Sequence, residues 1–191
     1  MPQSGCSGQT PACDLAADGT TFCRAVTSQG TSNNHCVLDS ECRDGYTCTD
    51  DGDGNAAWCA RFCTQDSGCT GTGSRCVVAL SAAATALGVS VCSNACDPYA
   101  QTGCPTGMGC LPFDAAAGDF TDCAYMGTKL DGQTCATDEE CRDGSVCVTS
   151  NTVTACRSLC IVGNASSCVT GSCVGFTQPH TIGATTYGAC L

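Results

Sequence analysis

Large apolar side chains are scarce in this 191-residue chain: leucine, isoleucine, valine and phenylalanine together number 27, about 14% of it. A sequence so poor in core-forming residues and carrying a net charge of −11 falls in the range of chains that stay unfolded. Aromatics are few as well, with one Trp, four Tyr and five Phe. There is a single lysine, Lys129, beside six arginines, so a phosphate backbone is repelled and nucleic acid is excluded as an expected partner. The uncharged segment at residues 77–96 is rich in alanine but interrupted by two cysteines and several polar residues, which argues against a transmembrane span.

What the chain has instead is cysteine. Its 23 cysteines make up about 12% of the residues, above the level that marks a disulfide scaffold. Crosslinks rather than apolar burial must hold the fold, and the 42% hydrophobic fraction is swollen by cysteine and alanine. Disulfides at this density imply an oxidising compartment, so the expected location is secreted or cell surface. No secretory leader is legible in MPQSGCSGQT, so the expectation is a leader already removed or a segment cut from a longer chain.

The cysteines are written as a repeat. HCVLDSECRDGYTC (35–48) and TCATDEECRDGSVC (134–147) share C-x5-C-x5-C spacing and E-C-R-D-G, 99 residues apart. Cys59, Cys63, Cys69, Cys76 and Cys92 then match Cys156, Cys160, Cys168, Cys173 and Cys190. Grouping the cysteines in fours gives a shorter period, C-x5–7-C-x4–6-C-x8–16-C, with a glycine between the second and third cysteines that signals a tight turn or positive φ. The repeats are residues 36–59 (repeat 2), 63–92 (repeat 3), 96–123 (repeat 4), 135–156 (repeat 5) and 160–190 (repeat 6). Residues 1–23 form an incomplete repeat 1 that lacks the first cysteine, so Cys6, Cys13 and Cys23 are its second, third and fourth. Spacers of three residues join the repeats except at 24–35 and 124–134, whose polar, glycine-containing sequences read as flexible joints.

Between third and fourth cysteines lie segments such as CTDDGDGNAAWC and CVTSNTVTAC, with β-formers near the ends and Gly, Asp, Asn or Ala toward the middle. These are β-hairpins with variable tips. The alanine-rich CVVALSAAATALGVSVC favours a helix in isolation, but its five relatives argue for a hairpin. The expected fold is therefore small and disulfide-rich, mainly short β-hairpins, in a tandem-repeat elongated array with little hydrophobic core.

Four cysteines allow three pairings, and spacing does not choose among them. The working expectation joins first to third and second to fourth, which ties turn and hairpin into one knot. It gives Cys36–Cys48, Cys42–Cys59, Cys63–Cys76, Cys69–Cys92, Cys96–Cys110, Cys104–Cys123, Cys135–Cys147, Cys141–Cys156, Cys160–Cys173 and Cys168–Cys190. In repeat 1 it gives Cys6–Cys23 and leaves Cys13 unpaired: a reactive thiol, an intermolecular bridge, or the product of truncation.

On the residues DSECRDGYTC and DEECRDGSVC, the chain resembles secreted bacterial cysteine-rich repeat proteins with D-x-[DE]-C-x2-G-x2-C units, of the kind common among myxobacteria. EGF-like and other small disulfide-rich modules share the general style. CTGTGSRC and CVTGSC depart from the acidic consensus. The resemblance implies structural or adhesive roles at a surface or outside the cell, and brings no catalytic residues.

Sites for chemistry are sparse. Asp51, Asp53 and Asn55 match the first three ligand positions of a calcium-binding EF-hand loop, but Ala56 stands where its turn glycine belongs and Phe62 where its bidentate glutamate belongs. A polar hairpin tip is the preferred reading, with calcium the weaker alternative. There is no C-x-C or C-x2-C, which a zinc ribbon, thiolate metal storage or a thioredoxin-like centre would use. His35 and His180 have no evident ligand or base role, and no G-x-S-x-G, H-E-x-x-H or phosphate-loop motif occurs. Asn164-Ala165-Ser166 is a single glycosylation sequon. The function expected is non-enzymatic and free of cofactors: an extracellular crosslinked structural repeat protein, a filament or surface-assembly subunit that associates with itself. The alternative is a module that binds another extracellular protein, as adhesin, receptor-like stalk or inhibitor, through its variable tips.

Overall fold

The computed structural model describes residues 5–32, 34–50 and 57–191, with residue 50 described by its backbone alone. Two compact units divide the chain, Met1–Asn94 and Ala95–Leu191, so the boundary falls in the three-residue spacer between repeats 3 and 4 rather than at either joint. Each unit holds three repeats.

In the N-terminal unit, repeat 1 is the hairpin β1 (Ala12–Leu15) with β2 (Thr21–Arg24). Repeat 2 contributes β3 (Tyr46–Asp50) and β4 (Ala57–Cys63). Repeat 3 contributes β5 (Cys76–Val78), a helix α1 (Ala82–Ala86) and β6 (Ser90–Cys92). These last four strands form one sheet in the order β3-β4-β6-β5. The fusion depends on β4, which carries Cys59 of repeat 2 and then Cys63 of repeat 3, pairing first with β3 and then with β6. Its spacer residue Phe62 lies opposite Val91, and both are buried.

The C-terminal unit repeats the device. Repeat 4 is the hairpin β7 (Met108–Phe113) with β8 (Phe120–Tyr125). Repeats 5 and 6 give β9 (Ser145–Ser150), β10 (Val153–Ile161), β11 (Cys173–Ile182) and β12 (Thr185–Cys190), ordered β11-β12-β10-β9. Here β10 carries Cys156 and Cys160 and pairs with both neighbours. A small apolar cluster draws on all three repeats: Leu111, Ala124, Met126, Val146, Leu159 and Ala189. Elsewhere sulfur stands in for hydrocarbon, since Cys36, Cys42 and Cys59 form one buried cluster and Cys135, Cys141 and Cys156 another.

In all six hairpins the third and fourth cysteines sit directly across from each other, as in Cys48↔Cys59 and Cys147↔Cys156. Facing residues share one side of the sheet, so both sulfurs point at the loop that brings in the first two. The disulfides run first to third and second to fourth in repeats 2–6, with Cα separations of 5.5–5.9 Å. The turn before the third cysteine needs glycine where expected: Gly45 and Gly144 have φ of 81° and 75°, a region costly for residues with a Cβ.

Repeat 3 differs from the plain hairpin inferred from its relatives. The β5–β6 stem forms, but its tip is the helix α1, begun by the Ser81 side chain accepting from the Ala84 amide. Alanine-rich sequence thus prevails at the tip, where no cross-strand partner competes, while the disulfides fix the stem.

The two joints are bonded along their length. In the first, the Thr27 and Gly30 amides donate to the Ser40 and Glu41 carbonyls, and the Arg43 amide donates to Gly30. In the second, the Lys129 amide donates to the Glu140 carbonyl and the Arg142 amide to Lys129. Both joints therefore run beside the second cysteine of the next repeat, at Cys42 and Cys141, as short parallel bridges.

Candidate functional site

The acids of the repeat motif act on the backbone. Asp39, Asp66 and Asp138 each open a 3₁₀ turn three residues before the second cysteine. Each carboxylate accepts the amide of the third cysteine: Cys48 to Asp39 at 2.8 Å, Cys76 to Asp66 at 2.9 Å and Cys147 to Asp138 at 2.6 Å. In repeat 4 the same position is Gln101, whose Oε1 accepts the Cys110 amide at 2.9 Å while its Nε2 donates to the Cys110 carbonyl at 3.0 Å. Charge is therefore dispensable at this position, and repeat 6, with Ala165 there, forms its two disulfides without a side-chain acceptor. The environments differ, however. Burial pushes the Asp138 carboxyl above its ordinary range despite the Cys147 amide. The exposed Asp66 is held below its ordinary range by the Cys76 amide and by Arg75.

The second acid of the motif closes the loop from the other side. Glu41 accepts the Val37 amide at 2.6 Å, and Glu140 accepts the Ala136 amide at 2.7 Å and the Lys129 ammonium at 2.9 Å. The acidic consensus is thereby accounted for by backbone donors, without a metal. The calcium candidates Asp51, Asp53 and Asn55 lie outside the described residues.

An open cleft of about 530 Å³ in the C-terminal unit is lined by Tyr99, Asp131, Arg142, Ser158 and Val169, among others. Asp131 is its acid. Burial pushes that carboxyl up, but the Ser158 and Ser145 hydroxyls and Arg142 outweigh this and hold it below its ordinary range. Asp131 accepts from Ser145 at 2.7 Å and from both the amide and the hydroxyl of Ser158. It fastens β9 to β10 and is not poised as a base. His35 is exposed and makes an isolated bridge to Trp58. His180 stands edge-on to Phe176 at 5.6 Å, its Nδ1 buried without a hydrogen-bond partner. Asn164 is exposed, its side chain accepting from the Ser166 amide and hydroxyl.

The most distinctive chemistry is in repeat 1. Cys6 and Cys23 are bonded, and Cys13 is the free cysteine. Its Sγ lies 2.7 Å from Cys6 Sγ, and all three sulfurs lie within 4.8 Å of one another. Three sulfurs are equally close in repeats 2–5, where two disulfides stack and the atoms are bonded in pairs. Repeat 1 has that same stack with one member missing, which leaves a thiol against a disulfide.

Repeat 1 is also anchored by a buried ion pair that spacing gave no means of finding. Arg24 Nε donates to Asp14 Oδ2 at 2.6 Å, with the two side chains 7% and 1% exposed. Arg24 Nη1 donates to the Cys42 carbonyl at 2.9 Å and Nη2 to the Tyr46 carbonyl, so one guanidinium locks the first hairpin onto repeat 2. The signal available was weak: an arginine just after the fourth cysteine and an aspartate just after the third. Comparison of the chain with protein-family models, with curated proteins and with solved structures gave no match in any of the three.

Proposed function

We propose that the chain is an extracellular structural repeat protein, a subunit of filaments or surface assemblies built by association of its own copies. The observation that carries this reading is strand sharing. Because β4 serves repeats 2 and 3 and β10 serves repeats 5 and 6, each of these pairs fuses into one four-stranded sheet, while repeats 1 and 4 keep two-stranded sheets of their own. Repeat architectures of this kind contact mainly their neighbours and extend by adding units. Eleven disulfides fit an oxidising environment, and among the described residues no helix is long and apolar enough to cross a membrane. Repeat 6 supplies surface for self-association, exposing Val162, Val169, Val174 and Leu191 to solvent. The resemblance to secreted bacterial cysteine-rich repeats points the same way.

A second reading, a module that binds another extracellular protein, is favoured by the tips. Helix α1 replaces the turn of repeat 3 and leaves Leu87 exposed, and the β9–β10 tip exposes Val153. Size-exclusion chromatography with light scattering, followed by negative-stain microscopy, separates the two. Concentration-dependent growth into ordered assemblies is the expected result. A monodisperse monomer at millimolar concentration would leave the binding module standing and the filament reading refuted.

A further inference from the structure

We infer that Cys6, Cys13 and Cys23 form a thiol–disulfide exchange site, in which the buried Cys13 thiol and the exposed Cys23 sulfur trade places as the free thiol of the protein. Exchange proceeds by attack of a thiolate on one sulfur of a disulfide. Cys13 Sγ lies 2.7 Å from Cys6 Sγ, in direct contact, and Cys6 is bonded to Cys23. Cys23 Sγ also lies within 4.8 Å of Cys13 Sγ, so the attacking, central and leaving sulfurs share one cluster. Cys13 and Cys23 are register partners on β1 and β2, so the ladder holds attacker and leaving group on one face of the hairpin. Reactants fixed at this separation gain the large effective concentrations of well-oriented intramolecular reactions.

The step balances without a co-reactant. Cys13 loses its proton to solvent and its thiolate bonds to Cys6. The Cys6–Cys23 bond breaks, and the electron pair leaves on Cys23, which takes up a proton. The product has a Cys6–Cys13 disulfide and a Cys23 thiol, with no net oxidation.

The two states differ in what they show to solvent. Cys13 is 8% exposed, whereas Cys23 is exposed. Exchange therefore carries a concealed thiol to the surface. In repeats 2–6 the third cysteine is bonded to the first, so the same packing has no nucleophile and these knots stay fixed. Repeat 1 alone combines the stack with a thiol.

The test uses the full oxidised chain. It is treated with N-ethylmaleimide under native conditions at neutral pH, quenched with acid, then denatured, reduced and alkylated with iodoacetamide. Trypsin releases residues 1–24 as one peptide containing all three cysteines, and fragmentation assigns the maleimide. The expected result is maleimide on Cys23 as well as Cys13, with Cys23 labelled at least tenfold more than in the variant Cys13→Ser, which lacks the nucleophile. A second variant, Cys23→Ser, is expected to contain a Cys6–Cys13 disulfide and no labelled thiol. Maleimide confined to Cys13, or no label at all while denatured protein labels fully, would overturn the inference. So would Cys23 labelling that survives Cys13→Ser, or free Cys6 and Cys13 in Cys23→Ser.

Discussion

Replacing Arg24 with methionine keeps most of the aliphatic bulk and removes the guanidinium that locks repeat 1 onto repeat 2. Asp14, 1% exposed, would then keep only the Leu15 amide as donor, and the Cys42 and Tyr46 carbonyls would each lose one. Removing one partner of a buried pair costs about 3–5 kcal/mol, because the remaining charge is stranded. Each 1.4 kcal/mol is tenfold in an equilibrium, so local opening should rise by a factor of roughly 10² to 4 × 10³. The disulfides of repeats 1 and 2 lie within each repeat, so the loss is one of docking and the knots survive. The amides of Thr27 and Gly30, donated to repeat 2 at 2.7 and 3.1 Å, report it directly. Native-state hydrogen exchange followed by NMR should show both exchanging faster by that factor in Arg24→Met, while Cys147 and Cys156 in repeat 5 stay unchanged. Arg24→Lys should fall between, since an ammonium cannot reproduce the planar fork. Asp14→Leu combined with Arg24→Met should recover most of the protection, because a paired apolar replacement strands no charge. A change at Thr27 and Gly30 of less than about threefold in Arg24→Met would refute the anchoring role.

Acidification should move repeats 3 and 5 in opposite directions. Asp66 has a lowered carboxyl, so its stabilisation is present above the ordinary carboxylate range and lost as pH falls through the depressed value. Asp138 has a raised one, so its own contribution to repeat 5 grows as pH falls from neutrality toward the ordinary range, before the lowered Asp131 and Glu140 lose theirs. Exchange of the Cys76 and Cys147 amides, corrected for intrinsic rates, checks both signs. Replacing Cys141 and Cys156 with serine opens a loop of 15 residues and should destabilise repeat 5 by about 3 kcal/mol on the chain-entropy estimate, visible in local exchange or proteolysis. Gly30→Ala places a Cβ 2.7 Å from the Glu41 carbonyl oxygen and 2.8 Å from Cys59 Sγ, so the first joint should lift from Cys42 at a cost of about 1–3 kcal/mol. Faster exchange at Arg43, whose amide donates to Gly30, is the reading for that variant.

The hairpins were legible because β-formers flank each tip and because glycine marks the turn before the third cysteine, as at Gly45 and Gly144. The acid three residues before the second cysteine was visible as a motif, but its job was not. Counting from that cysteine groups Asp66 and Gln101 with Asp39 and Asp138, whereas the acidic motif as read sets CTGTGSRC of repeat 3 and CVTGSC of repeat 6 apart. The helix at the tip of repeat 3 was signalled by its alanines and overruled by analogy, which holds for the stem and fails at the tip. Composition made residues 24–35 and 124–134 look like flexible links, since their bonds go to the carbonyls of Ser40, Glu41 and Glu140, which no local pattern announces. The Asp14–Arg24 pair was hidden for the same reason: its value depends on burial against repeat 2. Spacing alone left three pairings open per repeat. In the pairing present, the third and fourth cysteines face each other across the hairpin and bond to the first and second, respectively, on the preceding loop.

The central claim is that repeats 2–6 are each a knot closed within itself, with two stacked disulfides in place of a core, and that repeat 1 is the same knot with one disulfide. The most direct measurement is a nonreducing peptide map of the full chain, digested with trypsin and an aspartate-specific protease so that each cysteine of repeat 2 falls on its own fragment. The predicted result is Cys36–Cys48 with Cys42–Cys59, the same first-to-third and second-to-fourth pattern through repeat 6, and repeat 1 holding one disulfide and one thiol among Cys6, Cys13 and Cys23. Disulfides that cross from one repeat to another would contradict it.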